Sequence, residues 1–205
     1  MLLSILNNIN SSNTEVKKGI WNRESNRGIE LNNKTVGLIG YGNTGKSFAK
    51  KLIGFDVNTI YYDIKKIEKD NYANPVSLNY LKDNSDIISL HISMTEESIG
   101  LINKNFIESC AKPFWLINTS RGSCIIINDL VKGLKDGKVL GAGLDVIAFE
   151  KKSFEKLTVN ENDQSNLNYL NSSNNVILTP HIPGWTQESK IGLEKIALEK
   201  IKKLL

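Results

Sequence analysis

The sequence predicts an α/β fold, a doubly wound parallel sheet, on three observations. Short apolar runs rich in β-branched residues alternate with helical segments along most of the chain. A glycine-rich turn, Gly40–Ser47 (GYGNTGKS), separates the first such run from the first helix of the alternation. The next run, Val57–Tyr62, ends on an acid, Asp63. Sheets of this kind bind their ligands beyond the carboxyl ends of the strands.

Each element has its own signal. Lys34–Ile39 (KTVGLI) is short and apolar enough for a buried parallel strand. Ser47–Ile53 reads as a helix with Phe48, Leu52 and Ile53 inward, and Val57–Tyr62 is the second strand. Ser77–Lys82 reads as a short helix and Asp86–Ile92 (DIISLHI) as the third strand. Asn103–Ser109 is helical, Phe114–Ile117 is the fourth strand, and Ile126–Lys135 is a helix with Asn128 or Asp129 as its cap. Leu140–Leu144 (LGAGL) is the fifth strand. The Asn-rich stretch Glu161–Asn175 reads as a long loop. Val176–Leu178 is a sixth strand, and Gln187–Leu205 a closing helix.

Composition narrows the class. With 205 residues, 40% hydrophobic and 23% charged, the chain suits a globular protein of one large domain or two small ones. Its net charge of +4 comes from dispersed basic residues, apart from Lys195–Lys203 on an amphipathic helix, which reads as a solvated face and not a nucleic-acid patch. No apolar run approaches the ~20 residues of a membrane span, and Met1–Leu6 lacks the basic flank of a signal peptide. Cys110 and Cys124 fit no metal spacing and read as reduced cytosolic thiols. With only His91 and His181, a His-rich metal site is excluded. No metal is expected.

The glycine turn satisfies two fingerprints. Gly40, Gly42 and Gly45 spell the dinucleotide-binding G-x-G-x-x-G, while Gly40, Gly45, Lys46 and Ser47 spell the P-loop G-x-x-x-x-G-K-S. Both aim backbone N–H groups and a helix N-terminus at a phosphate. Asp63 lies 18 residues after Gly45, near the spacing of the acid that binds the adenosine ribose in a Rossmann-type fold. A carboxylate there repels the 2′-phosphate of NADP and favours NAD, and Lys65 and Lys66 soften that repulsion. A P-loop protein can also place an Asp at a strand end, for Mg²⁺, so this step leaves both readings open.

Four features fall after strand ends: His91–Thr95, Asn118–Gly122 (NTSRG), Asp145 with Glu150, and Thr179–Thr186 (TPHIPGWT). An acid, an Arg and a His brought to one sheet edge suit an oxidoreductase. Neutral His can take a hydroxyl proton near neutral pH. A carboxylate beside it stabilises the charged imidazole, and Arg can hold a substrate carboxylate in a bidentate grip.

These segments, with WNR at 21–23, GIELNNKTVGLIGYGNTG at 28–45, SLHISMTEESIGLIN at 89–103 and GAGLDV at 141–146, resemble the NAD-binding domain of the D-2-hydroxyacid dehydrogenases, in family order over nearly the whole chain. The P-loop reading has no counterpart to SLHISMTEESIGLIN, INTSRG (117–122), GAGLDV or TPHIPGWT. The resemblance implies catalytic roles for Arg121, Glu150 and His181. It implies cofactor contacts at Gly40, Gly42, Asn43, Thr44 and Gly45 for the pyrophosphate, and at Asp63 for the adenosine ribose. Thr119, Ser120, Arg121, Asp145, His181 and Gly184 fall near the nicotinamide, with His91 and Thr95 lining the floor. It further implies NAD as cofactor, a small 2-hydroxy or 2-oxo acid as substrate with 3-phosphoglycerate the first candidate, a homodimer and a cytoplasmic setting.

The sequence departs from the family pattern at Pro183 and Trp185, where small residues are usual, at Ser93 and at Thr44. Members also carry about a hundred residues before this point. The expected organisation is therefore an interdomain or dimerisation arm over 1–27, the cofactor domain over 28–186, and a helix over 187–205 returning toward a substrate domain of which this chain lacks the N-terminal part. A rival within the same fold is an NADH-sensing, corepressor-like binding module.

Overall fold

The computed structural model describes residues 1–148 and 161–202. At its centre is a parallel sheet of seven strands: β1 (Thr35–Ile39), β2 (Asn58–Tyr62), β3 (Asn74–Pro75), β4 (Ile87–Leu90), β5 (Phe114–Asn118), β6 (Val139–Leu144) and β7 (Val176–Leu178). Their order is β3-β2-β1-β4-β5-β6-β7, the doubly wound arrangement that the alternation predicts. The strand that the sequence does not signal is β3. It has two residues, one of them Pro75, and it lies at the sheet edge, where a missing N–H leaves no ladder bond unmade.

Helices cover both faces: α1 (Leu2–Leu6), α2 (Ile9–Lys17), α3 (Asn43–Leu52), α4 (Leu78–Asn84), α5 (Lys104–Ser109), α6 (Ile127–Lys135), α7 (Glu161–Ser172) and α8 (Gln187–Lys202). Alternate strand residues supply two cores. Ile88 and Leu90 of β4 join Phe114 and Leu116 of β5 under α4, α5, α6 and α7. Ile87 and Ile117 face the other way, with Val36, Leu38, Ala49 and Leu52, and with Leu2, Ile5 and Leu6 of α1. Strands buried on both faces must be apolar throughout, which is why β1 and β4 read as continuous runs.

Local signals fix several helix starts. Ser77 accepts the Tyr80 N–H at 3.2 Å to open α4, and Asn103 accepts the Phe106 N–H at 3.0 Å to open α5. Asp129 does not cap its own helix. Its Oδ2 accepts the Lys104 N–H at 2.8 Å, so it serves the start of α5 instead, and α6 begins at Ile127 without a side-chain cap. The helix after the glycine turn begins at Asn43, four residues before Ser47, because Asn43, Thr44 and Gly45 already form its first turn, and it ends at Leu52, so Ile53 starts the next turn and is exposed rather than inward.

The stretch 161–175 departs most from expectation, since α7 replaces the loop over most of it. Leu167 and Leu170, three residues apart, are buried on one face, and Tyr169 packs against the same core under the Lys135 ammonium, 4.9 Å from the ring centroid. Asn and Ser are weak helix formers, so burial of this apolar stripe overrides local propensity. Truncating Leu170→Ala is expected to lower unfolding free energy by about 2–5 kcal/mol, whereas Asn168→Ala on the exposed face should change it by less than about 0.5 kcal/mol. Urea denaturation of both variants reads the difference.

Candidate functional site

Strand register builds the site. Tyr62, Ile39, Leu90, Asn118, Leu144 and Leu178 pair in one row across six strands. The next residue on each strand is therefore Asp63, Gly40, His91, Thr119, Asp145 or Thr179. At ~4.8 Å between neighbouring strands, this edge runs for roughly 24 Å. Backbone bonds carry the ladder into it: Gly40 N–H donates to Tyr62 O at 2.8 Å, His91 N–H to Ile39 O at 2.8 Å and Asp145 N–H to Asn118 O at 2.9 Å.

The three fingerprint glycines differ in what surrounds them. Gly40 turns the chain at φ +93°, a conformation that a side chain strains. A Cβ on Gly45 would collide with the Gly40 carbonyl, so the third glycine lets α3 pack close to the strand. A Cβ on Gly42 would meet no atom of the protein within 4 Å. Tight turn, open approach and close helix packing are the three roles of a dinucleotide fingerprint. No side chain caps α3, and its first turn holds no acid, so its leading N–H groups suit an anion. Lys46, the residue that would make a P-loop, forms an ion pair with Asp70 at 2.9 Å.

Beside this turn lies a cavity of about 400 Å³. Gly40, Gly42, Asp63, His91 and Thr95 all line it, while Ile64, Ile67, Leu78, Ile92 and Leu101 form apolar walls. Asp63 Oδ2 accepts the Tyr41 N–H at 2.7 Å, and its Oδ1 accepts the Lys65 N–H at 2.8 Å. Each carboxylate oxygen keeps a further lone pair for a ligand hydroxyl. An acid within apolar walls, next to an uncapped helix, can hold the adenosine half of a dinucleotide.

The remaining candidates cluster around two buried polar side chains further along the edge. Asn118 accepts the Ser120 N–H and hydroxyl and donates to Arg121 O at 2.9 Å, so it shapes the Thr119–Arg121 turn. The Arg121 guanidinium is exposed and donates to Ser120 O at 2.7 Å, which leaves most of its five donors for a ligand. Asp145 Oδ1 accepts the Thr179 hydroxyl at 2.6 Å and the Ile182 N–H at 2.9 Å, and its carbonyl accepts the His181 N–H at 2.9 Å. His181 sits at φ +56°, a left-handed conformation that these bonds hold in place. Gly184 is exposed in the next turn, its carbonyl accepting the Ser189 hydroxyl at 2.6 Å. Glu150 lies outside the described residues. The apolar cavity walls escape motif reading, and Asn118 and Thr179 fall within motifs that do not reveal the turn-bracing roles the structure gives them. Both stand at the carboxyl ends of strands, β5 and β7, that flank β6 in the sheet.

The model of the "D-isomer specific 2-hydroxyacid dehydrogenase, NAD binding domain" matches residues 1–183. A hydroxypyruvate reductase of Thermotoga maritima is 35% identical over 207 residues, 100% of this chain and 64% of that protein. A D-3-phosphoglycerate dehydrogenase of Haemophilus influenzae is 35% identical over 94% of this chain and 46% of its own length. The crystal structure of D-lactate dehydrogenase from Aquifex aeolicus, complexed with NAD and lactic acid, superposes with a TM-score of 0.84 at 32% identity, over 99% of this chain and 62% of that one. The chain thus spans between about half and two thirds of these proteins.

His91 has a consequence for stability. Its ring is half-buried, with Nε2 3.0 Å from Ser89 Oγ and Phe48 at 5.3 Å, and desolvation pushes its pKa down from 6.5 to about 4. The unfolded chain binds this proton near pH 6.5, and the folded chain only near pH 4. Stability should therefore fall as the pH drops through that window, by about 3 kcal/mol in total. Urea titrations at pH 7, 5.5 and 4 measure the slope, and His91→Asn should flatten it.

Proposed function

Because the chain belongs to the D-isomer specific 2-hydroxyacid dehydrogenase family and forms its NAD binding domain, we propose that the whole protein transfers a hydride between NAD and C2 of a D-2-hydroxy acid. The observation that carries the reading is the row of chemistry-bearing residues one step beyond the paired strand ends. Gly40, Gly42, Asn43, Thr44 and Gly45 hold the pyrophosphate and Asp63 holds the adenosine ribose, while Thr119, Ser120, Asp145 and Gly184 bound the nicotinamide side, with His91 and Thr95 beneath. When bound, the nicotinamide supplies the hydride acceptor in the oxidative direction.

The protein's own groups do the rest. Arg121 binds the substrate carboxylate and polarises the developing carbonyl. His181 takes the hydroxyl proton, and Glu150 stabilises the imidazolium that results. The Asp145 bonds fix the backbone around His181 before substrate arrives, so less ordering remains to be done at the moment of reaction. Among hydroxy acids, 3-phosphoglycerate is the first to assay, with hydroxypyruvate, glyoxylate and lactate after it. Selection among them falls to the substrate domain.

The family's two-domain, dimeric organisation completes the proposal. The helix α8 presents Ile191, Leu193, Ile196 and Leu198 to solvent, which supports a helix that returns to a substrate domain. Ile20 and Trp21 stand exposed after α2, which supports a homodimer through the arm 1–27. Two buried free thiols, Cys110 and Cys124, support a cytoplasmic setting.

Calorimetric titration of this chain should give binding of NADH, with little response to NADPH or Mg-ATP. Binding of Mg-ATP alone would return the turn to the P-loop reading. Gly42→Ala should weaken NADH by about tenfold or more while lowering stability by no more than about 1 kcal/mol, because its Cβ meets no protein atom within 4 Å and projects into the ligand's space. In the full-length protein, His181→Ala should lower kcat by about 100-fold or more. An unchanged rate would instead favour the NADH-sensing module.

A further inference from the structure

The crossover from β2 to β3 contains no helix. Residues 63–73 run in irregular backbone between Tyr62 and Asn74. A helix positions itself through its own hydrogen bonds, whereas an irregular connection depends on side chains. This connection also supplies Asp63, Ile64, Lys65 and Ile67, one whole wall of the cofactor cavity.

Two core tyrosines, Tyr41 and Tyr61, and the exposed Lys46 hold it. The Tyr41 hydroxyl donates to Asp70 Oδ1 at 2.8 Å, and the Tyr41 N–H donates to Asp63 Oδ2 at 2.7 Å. One residue therefore grips the connection near both ends. The Tyr61 ring stacks on Tyr41 with centroids 3.8 Å apart, and its hydroxyl donates to Ile67 O at 2.9 Å in the middle of the segment. Asp70 collects the rest: Oδ1 also accepts the Tyr72 N–H at 2.8 Å, and Oδ2 meets the Lys46 ammonium at 2.9 Å. Burial alone would raise the Asp70 carboxyl, but the bonds from Tyr72, Lys46 and Tyr41 outweigh it and hold it down to about 2. Asp70 is therefore charged at any pH at which the enzyme would work.

Lys46 and Tyr41 both belong to the glycine turn and its helix. The same turn that receives the pyrophosphate is thus tied by side chains to the wall that receives the adenosine. We propose that Asp70, with Tyr41 and Lys46, is a positioning residue for the adenosine half of the cofactor, fixing the 63–70 segment against the glycine turn so that Asp63 and the apolar wall face the cavity. The lysine that imitates a P-loop binds no phosphate and serves this clamp. The proposal rests on the NAD reading and extends it to residues that do not line the cavity.

Calorimetry with NADH and with ADP-ribose, on wild type and on Asp70→Ala, Tyr41→Phe and Lys46→Met, tests it. Tyr41→Phe removes one oxygen atom, and it stands in if Asp70→Ala does not fold. Asp70→Ala and Tyr41→Phe should weaken both ligands by about tenfold, to the same extent for each, as expected for loss of a charge-assisted hydrogen bond. The double variant should be no weaker than the worse single, since both remove one clamp. Lys46→Met, which breaks only the more exposed ion pair, should cost less. Leu170→Ala is the control for lost stability alone, and it should keep the wild-type affinity. Affinities within twofold of wild type in Asp70→Ala and Tyr41→Phe overturn the proposal, and so does an equal loss in Leu170→Ala. If wild type binds neither ligand, it is the NAD reading that fails, and the clamp with it.

Discussion

The parallel register of the sheet is the constraint on which everything else depends. Each central strand is buried on both faces, so a slip of one residue would exchange the two cores and bring Ile87 where Ile88 packs. The same register brings six strand ends into one row and delivers Asp63, Gly40, His91, Thr119, Asp145 and Thr179 to one edge. Packing energy thus aligns residues that never touch one another in sequence. A site assembled this way needs no loop of special length, only strands that end together.

Polar groups at that edge are costly to bury, and the protein handles them in two ways. Asn118 and Asp145 are almost fully buried, yet the turns they organise satisfy them: Ser120 and Arg121 for one, Thr179 and Ile182 for the other. His91 is handled differently. It keeps one hydroxyl partner and stays uncharged, which lets a ring capable of ionisation lie beneath a ligand site without a counter-ion. Buried polar side chains fix the turns, and exposed ones such as Arg121 remain to meet a ligand.

The glycine turn illustrates how one motif can carry two meanings. Backbone geometry at Gly40, Gly42 and Gly45 follows the dinucleotide pattern, with open space only above the middle glycine. The P-loop letters Gly-Lys-Ser are all present, but a lysine one turn into a helix has several possible partners. Asp70, 24 residues later, takes it. Only a contact across the fold could decide that assignment.

Much of this protein was legible beforehand. The strand–helix alternation, the six longer strands and the glycine turn rest on local periodicity and turn chemistry, which short segments carry by themselves. The place of Asp63 at the end of β2, where it lines the cavity, was legible for the same reason, since it follows from a strand of fixed length after a helix of fixed length. What escaped was non-local. The helix α7 exists because Leu167 and Leu170 find a core to cover, despite weak helix formers around them. Asp129 looks like the cap of its own helix and caps another, and Pro75 forms a strand only because a sheet edge stands beside it. The sequence by itself determined the six longer strands and which residues stand at their ends, because those signals are periodic and local. Only the tertiary structure decided who binds Lys46, what holds the 63–73 connection and how Asp145 braces the loop around His181, because each of these depends on hydrogen bonds between residues distant in the chain and adjacent in space.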